Sequence, residues 1–495
     1  MRRAKIERKD RAKKNLTGAS SRVAMELDRQ SKTPYYRQIY ERLSDAIVHG
    51  VLRPGERLPS ARSLASHLAT SRGTIDLAYD LLSGEGYVQS LGAAGTVVAP
   101  DFSGGLKPPV SLTRRPPAEP APGTFTVKPF MMGLPALDAF PRKLWARLSA
   151  RHARALTSPA MVVPDPAGYG PLRNAIASYL AVSRGILCST EQVIITSGFQ
   201  SALGLITRVL FKPGDQFWLE DPCYFIVRRA LQAIEADVVG VPVDAEGIEV
   251  AVGIAKAPRA HFAYVTPSHQ APLGVSLSLA RRTALLSWAA SADAWIIEDD
   301  YDSEFRYGSR PLPALKSLDQ AGRVLYVGSF SKVLFPGLRL GYVVVPESQL
   351  DRLKRMCQLL YCDRPVLNQA IVADFMTEGH FARHIKRMRK LYADRRAAVA
   401  AALVDVFGRK IELQLQAGGM HLLARLPGCK SDVDWVARAA SHGLAPVALS
   451  EWRVEEDCGQ GLLLSFTNIP PQNANEAALR LKQAISGTGK RVQGA

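Results

Sequence analysis

Between Gly328 and Val343 the sequence reads GSFSKVLFPGLRLGYV. One lysine, Lys332, follows two small hydroxyl residues, Ser329 and Ser331, and Arg339 comes seven positions later. A loop amine adds to a bound aldehyde once desolvation and nearby cations have lowered its pKa. Serines, loop amides and an arginine suit a phosphate dianion. An aldehyde and a phosphate together describe a pyridoxal phosphate pocket, with Lys332 as the Schiff-base amine. Alone, the tetrapeptide SFSK reads more readily as a surface loop with a solvated lysine. The partners such a pocket needs, found elsewhere in the chain, overturn that reading.

Those partners sit at the ends of apolar runs. Val324–Val327 is a short buried strand ending at Gly328. QVIITSGFQSALGLI (Gln192–Ile206) is a strand, a tight turn and a helix start, and the amides of Ser197, Gly198, Phe199 and Gln200 can cap a phosphate. FWLEDPCYF (Phe217–Phe225) is a strand and an acidic turn, where Tyr224 either covers a flat ring or packs as an ordinary aromatic. HFAYVTPSHQAPLG (His261–Gly274) ends in a proline-bounded loop. AWIIEDDYDSEFRY (Ala294–Tyr307) is a buried strand ending in acids. There Asp299 can pair with a protonated pyridine nitrogen and Tyr301 with the ring's phenolic oxygen. From Phe130 onward strands alternate with helices, which predicts an α/β domain: a mostly parallel sheet with helices on both faces.

The first hundred residues are organised differently. Tyr36, Ile39, Tyr40, Leu43 and Ile47 recur at helical spacing, and Gly50 ends the run. Ser60 caps a second helix, and a break at Thr70–Ser71 leads into a third, which makes a helix-turn-helix whose last helix would enter the major groove. Tyr87–Ala99 reads as two strands of a wing. Arg57 and Arg62 flank the second helix and can reach phosphates. Ser71, Arg72 and Thr74 open the third, where side chains meet base edges and Arg72 can fork onto guanine. Gly95 and Thr96 let the wing approach the DNA backbone.

The chain has 495 residues, too many for one core, and a net charge of +18, which points to a polyanionic partner. The charge is denser at the front. Residues 1–21 read as a basic disordered tail, 22–99 as a winged helix-turn-helix domain, 100–129 as a Pro-rich linker and 130–495 as the pyridoxal phosphate domain. Six scattered cysteines without a CxxC pair predict reduced thiols and no metal site. No apolar run approaches membrane-span length and the N-terminus lacks a signal h-region, so a cytoplasmic protein with no membrane partner is expected.

About 65 residues of this first part resemble the winged helix of the GntR superfamily of bacterial regulators, following GxxLPSxRxLAxxLxxSRxTxxxAYxxLxxEGYV and a wing GT. The wing departs where Ala93–Ala94 precede Gly95–Thr96, and Asp76 stands where some relatives carry arginine. The order of phosphate loop, aromatic, PxxxxPxG loop, D-x-Y and SxSK…R resembles the fold-type-I aminotransferases over about Phe130 to Ile485. That resemblance implies Lys332 as the Schiff-base lysine, Asp299 and Tyr301 as ring partners, and Tyr224 as the stacking residue. Ser329, Ser331, Arg339 and Ser197–Gln200 would hold the phosphate, and Tyr169 would reach the partner subunit's pocket. The fusion resembles the MocR/GabR subfamily of pyridoxal-phosphate-dependent regulators, which implies a head-to-tail homodimer on double-stranded DNA with paired half-sites. Its effector would be pyridoxal phosphate or an amine. Ala271 replaces the asparagine many aminotransferases have before PxG, leaving His269 or Gln270 to supply that hydrogen bond. Leu463 replaces an arginine that pairs with a substrate carboxylate. A working aminotransferase with an accessory DNA domain, and a scaffold that no longer binds the cofactor, are the alternatives.

Overall fold

The structure is a computed structural model and describes residues 26–31, 33–92, 95–100, 126–162, 164–307, 313–360, 364–428 and 430–486. The basic tail, linker residues 101–125 and Ala93–Ala94 lie outside them. The chain divides into two compact units, within residues 1–124 and 125–495.

The first unit holds helices α1 (Tyr35–Val48), α2 (Ala61–Leu68) and α3 (Arg72–Gly84), then strands β1 (Val88–Ser90) and β2 (Thr96–Val98). Ile39, Leu43 and Ile47 of α1 meet Leu64 and Leu68 of α2 and Ile75, Ala78 and Leu82 of α3 in one core, which Val88 and Val98 close. Serine side chains start the two later helices: Ser60 accepts from the Ser63 amide and Ser71 from the Thr74 amide, each at 3.2 Å. Ala69 in the left-handed region ends α2 and turns the chain into α3. The antiparallel β1–β2 pair is the expected wing, and the Leu58 amide donates to the Thr96 carbonyl at 2.9 Å, fastening it to the segment before α2.

The second unit is built on an eight-stranded sheet: β3 (Val193–Thr196), β4 (Gln216–Asp221), β5 (Asp237–Asp244), β6 (Gly247–Ile248), β7 (Phe262–Val265), β8 (Trp295–Asp300), β9 (Val324–Ser329) and β10 (Gly341–Val344). Their order is β3-β10-β9-β8-β7-β4-β5-β6. Strands β9, β8, β7, β4 and β5 are parallel, β10 runs antiparallel to both its neighbours, and β6 antiparallel to β5. The sheet is therefore mostly parallel, as expected, with a reversed strand inside it.

Alternate residues feed two cores, as period-two geometry requires. Val193, Ile195, Tyr326, Tyr342 and Val344 face one side, toward α4 (Arg142–Arg154) and α5 (Gly170–Arg184). Ile194, Val327 and Val343 face the other, toward α6 (Phe199–Leu210) and α7 (Phe225–Gln232). Helices α8 (Val250–Lys256) and α9 (Leu279–Ser291) cover Trp218, Ala263 and Ile296 on the first side, and α10 (Leu350–Leu360) packs on the second. Helices α11 (Val366–Thr377) and α12 (His380–Phe407) lead to a smaller antiparallel sheet, ordered β11-β12-β14-β13. Its strands are β11 (Glu412–Gln414), β12 (His421–Arg425), β13 (Val447–Ala448) and β14 (Leu462–Ser465), packed with α13 (Asp432–Ser441) and α14 (Ala474–Ser486).

Candidate functional site

In a parallel sheet the carboxyl ends of the strands share one edge, and chemistry collects there. Here Ser197 follows β3, Tyr224 follows β4, Thr266–Gly274 follow β7, and Asp299 is next to last in β8, two positions before Tyr301. The reversed β10 matters because it pairs Gly341 with Ser329, so the whole connection 330–340, with Lys332 and Arg339, returns to that same edge.

Lys332 is half-buried, and burial holds its ammonium below the usual lysine range against the pull of Asp302 and Asp299. Its Nζ donates to the Gly133 carbonyl at 2.9 Å. A Cβ on Gly133 would lie 2.8 Å from that nitrogen, so only glycine leaves the amine its place. Ser329 Oγ accepts from the Ser331 amide at 3.2 Å, which closes the turn before the lysine.

Asp299 is 5% exposed. Burial raises its carboxyl to about 7, while the Tyr264 hydroxyl and Lys332 pull it down. Tyr264 donates to Oδ2 at 2.7 Å; Oδ1 is buried with no hydrogen-bond partner among the described residues. A buried, unpaired carboxylate oxygen is costly unless a ligand completes it, and a protonated ring nitrogen is such a donor.

At the loop after β3, Gly198 adopts φ +98, and its Cβ position lies 3.8 Å from the exposed Arg339 guanidinium. Gly341 approaches Gly198 so closely that a side chain there would meet its Cα at 3.0 Å. The loop Ser197–Gln200, at the start of α6, and Arg339 are thus neighbours, as an anion site needs. Tyr224 is half-buried, its ring 5.3 Å from those of Phe225 and Trp452.

The Tyr301 hydroxyl lies 2.9 Å from His269 Nδ1, and Asp302 Oδ2 is 3.2 Å from the same nitrogen. Burial raises the Tyr301 phenol well above its ordinary range. Of the two candidates for the role Ala271 cannot fill, Gln270 is spent on backbone: it donates to the Pro222 carbonyl, in the turn after β4, at 2.8 Å and accepts from the Leu273 amide of its own loop at 2.9 Å. His269 faces the tyrosine instead. Leu463 is fully buried with Ala271, Leu423, Leu449 and Trp452, and Met132, Tyr224 and Tyr301 pack on this cluster. The position of the absent arginine therefore presents apolar surface. Tyr169 precedes α5, its amide bonded to Gln369 at 2.8 Å.

Four participants escaped the sequence reading. Tyr264 reads as strand core, Gly133 lies 199 positions from its lysine, and Trp452 and His421 come from the C-terminal lobe. Burial, with His269 nearby, holds the His421 imidazole down at about 4, and its Nε2 bonds the Pro272 carbonyl at 2.9 Å.

In the first unit Arg57, Arg62, Ser71 and Arg72 are exposed, and Thr74, Gly95 and Thr96 partly so. Two details add to the sequence expectation. The Ser71 and Thr74 hydroxyls are bonded to each other at 2.7 Å in the helix cap, and Arg72 pairs with Asp76 at 3.3 Å. Serine and threonine at a helix start serve the backbone first. Gly95, at φ +91, lies under Arg57, whose Nη2 would be 2.8 Å from a Cβ there.

The family model of aminotransferase class I and II matches residues 138–454, and that of the bacterial regulatory proteins of the gntR family matches 35–98. The probable rhizopine catabolism regulatory protein MocR of Rhizobium meliloti is 38% identical over 93% of this chain and 95% of its own. The HTH-type pyridoxine biosynthesis transcriptional regulator PdxR of Corynebacterium glutamicum is 32% identical, over 91% and 95%. Among solved structures, kynurenine aminotransferase of Pyrococcus horikoshii superposes with TM-score 0.67 at 28% identity, covering 74% of this chain and 93% of that one. The chain thus belongs to the MocR-type transcriptional regulators, in which a GntR winged helix is fused to an aminotransferase class I and II domain.

Proposed function

We propose that this chain is a DNA-binding regulator that carries pyridoxal phosphate on Lys332 and changes its hold on DNA when the cofactor or an amine occupies the site. The observation that carries the reading is the buried, unpartnered Oδ1 of Asp299 in the same charge cluster as a lysine whose pKa burial lowers. It is supported by the kynurenine aminotransferase structure, solved with PMP, and by the alpha-aminoadipate aminotransferase of Thermus thermophilus (30% identical), solved with a phosphopyridoxyl-leucine. When bound, pyridoxal phosphate supplies an aldehyde that amines compete for. Asp299 would hold the ring nitrogen's proton, Tyr301 would donate to the phenolic oxygen, and Tyr224 would cover the ring. Ser329, Ser331, Arg339 and the Ser197–Gln200 loop would hold the phosphate.

In this reading residues 22–99 read DNA, 100–129 are the spacer behind a basic tail, and 130–495 sense. The chain acts in the cytoplasm as a head-to-tail homodimer on paired half-sites, with Tyr169 reaching toward the partner. Arg57 and Arg62 grip phosphates, Arg72 with Ser71 and Thr74 reads bases, and Gly95–Thr96 seat the wing. Because Leu463 and Ala271 give the pocket an apolar wall, the effector is pyridoxal phosphate itself or an amine without a carboxylate. Gel shifts on the upstream intergenic DNA, with and without pyridoxal phosphate and amines, test this. A shift that depends on the ligand supports it; no binding in any state defeats it. The low pKa of Lys332 also suits a working aminotransferase, and repeated turnover with an amino donor and a keto acid would favour that second reading.

A further inference from the structure

We propose that Asp302 and His269 fix the Tyr301 hydroxyl as a hydrogen-bond donor into the cofactor pocket, which makes His269 a positioning residue for the site. The consequence rests on the cofactor reading above; the geometry does not. His269 is 6% exposed and Asp302 1%. One nitrogen, Nδ1, faces two oxygens: Tyr301 at 2.9 Å and Asp302 Oδ2 at 3.2 Å. The ring is walled in by glycines of two different segments. A Cβ on Gly419 would lie 2.1 Å from Cε1, and one on Gly274 2.9 Å from Nε2. A side chain at either glycine would displace the imidazole.

The tautomer follows from the company Nδ1 keeps. Asp302 Oδ2 is buried and has no well-formed hydrogen bond, so its charge favours the hydrogen on Nδ1. That hydrogen is directed at the Tyr301 oxygen, with Asp302 Oδ2 beside it as a charge contact at 3.2 Å, and the tyrosine's oxygen is then an acceptor on this side. Its own hydrogen turns toward the pocket. The opposite tautomer would take the tyrosine's hydrogen and set the Nδ1 lone pair against the buried Asp302 Oδ2. The other groups around the imidazole do not reverse this. His421 stands 5.7 Å away ring to ring and is held at low pKa, hence neutral; Lys332 acts on Asp302 by charge; Arg306 Nη1 donates to the Ser268 carbonyl at 3.3 Å.

The arrangement also crosses the lobes. The Gly419 amide donates to the Phe305 carbonyl at 2.9 Å, and the Tyr307 hydroxyl to the Gly419 carbonyl at 2.7 Å. The turn before β12 therefore presses on His269 from the C-terminal lobe while Tyr301 and Asp302 come from the large sheet.

Two measurements on the full-length chain test the proposal. In cofactor-free protein, nitrogen NMR of histidine should show hydrogen on His269 Nδ1, and Asp302→Asn should move it to Nε2. In protein loaded with pyridoxal phosphate, the pH midpoint of the cofactor's absorbance change should rise by about one unit, a tenfold change in that equilibrium, in His269→Ala and Asp302→Asn. His269→Asn, which restores a donor near Nδ1, should return it toward wild type, and neither substitution should add to the effect of Tyr301→Phe. An Nδ1 signal unmoved by Asp302→Asn, or a midpoint shift that persists in the Tyr301→Phe background, overturns the proposal. A wild-type protein with no cofactor band sinks the cofactor reading, while the nitrogen measurement still decides the tautomer.

Discussion

The Tyr264 hydroxyl donates to one oxygen of Asp299 at 2.7 Å and leaves the other oxygen buried without a partner. Tyr264 thus favours the ionised form of Asp299 against burial, together with the charge of Lys332. Replacing it by phenylalanine removes a hydrogen bond to a charged group, worth about 1.5–3 kcal/mol. Tyr264→Phe should weaken pyridoxal phosphate binding by roughly ten- to a hundredfold. Equilibrium dialysis against the cofactor measures it, and an unchanged affinity would remove Tyr264 from the site.

Asp299 also sets a pH dependence. Its folded pKa, about 7, lies above its ordinary value of 3.8, because burial penalises the charge. The folded state therefore holds a proton that the unfolded chain has released, and the stabilisation is full below pH 3.8 and lost as pH rises through 7. Without cofactor, Asp299→Asn should show a shallower loss of stability over that window than the wild type, by up to one proton's worth of slope. Denaturant titrations at several pH values check it. Parallel curves would show that Asp299 is ionised throughout.

Asp221 ties the C-terminal lobe to the end of β4. Its carboxylate accepts from the amides of Val454, Glu455 and Glu456, each at 2.8 Å, next to the Trp452 that packs on Tyr224. Asp221→Ala should free this segment and cost about 2–5 kcal/mol, since three charge-assisted bonds are lost together. Limited proteolysis should then cut near residues 453–458 much faster than in wild type.

At the DNA face, Arg57→Ala and Arg62→Ala should each weaken binding to all sequences and reduce the salt slope by about 1. Gly95→Ala should weaken binding without removing a charge, because it strains the wing backbone at φ +91 and displaces the Arg57 guanidinium, so the salt slope should change less than in Arg57→Ala. Asp76→Ala releases Arg72 from its ion pair and should tighten binding at low salt. Fluorescence anisotropy across a salt series separates the three effects.

The candidate site's edge of the sheet is legible in the sequence because strand ends are written locally. Apolar runs closing on Asp299 and on Ser329 are visible without knowing the fold, and Lys332 and Arg339 lie on one short connection between paired strands. Tyr264 was illegible for the opposite reason: an aromatic inside FAYV looks like core, and its hydroxyl finds Asp299 only when β7 pairs with β8. Gly133, Trp452 and His421 reach the site from the ends of the domain, contacts that no local pattern encodes. Ser71 and Thr74 show a second limit, since the residue types that suit base contacts also suit a helix cap.

The central claim is that Lys332 is the amine that holds the cofactor. The most direct measurement is borohydride reduction of the protein incubated with pyridoxal phosphate, followed by mass spectrometry of its peptides. The account predicts a pyridoxyl adduct on the peptide containing Lys332, and its loss together with the cofactor's absorbance band in Lys332→Ala. An adduct spread over surface lysines, equal in wild type and Lys332→Ala, would contradict it.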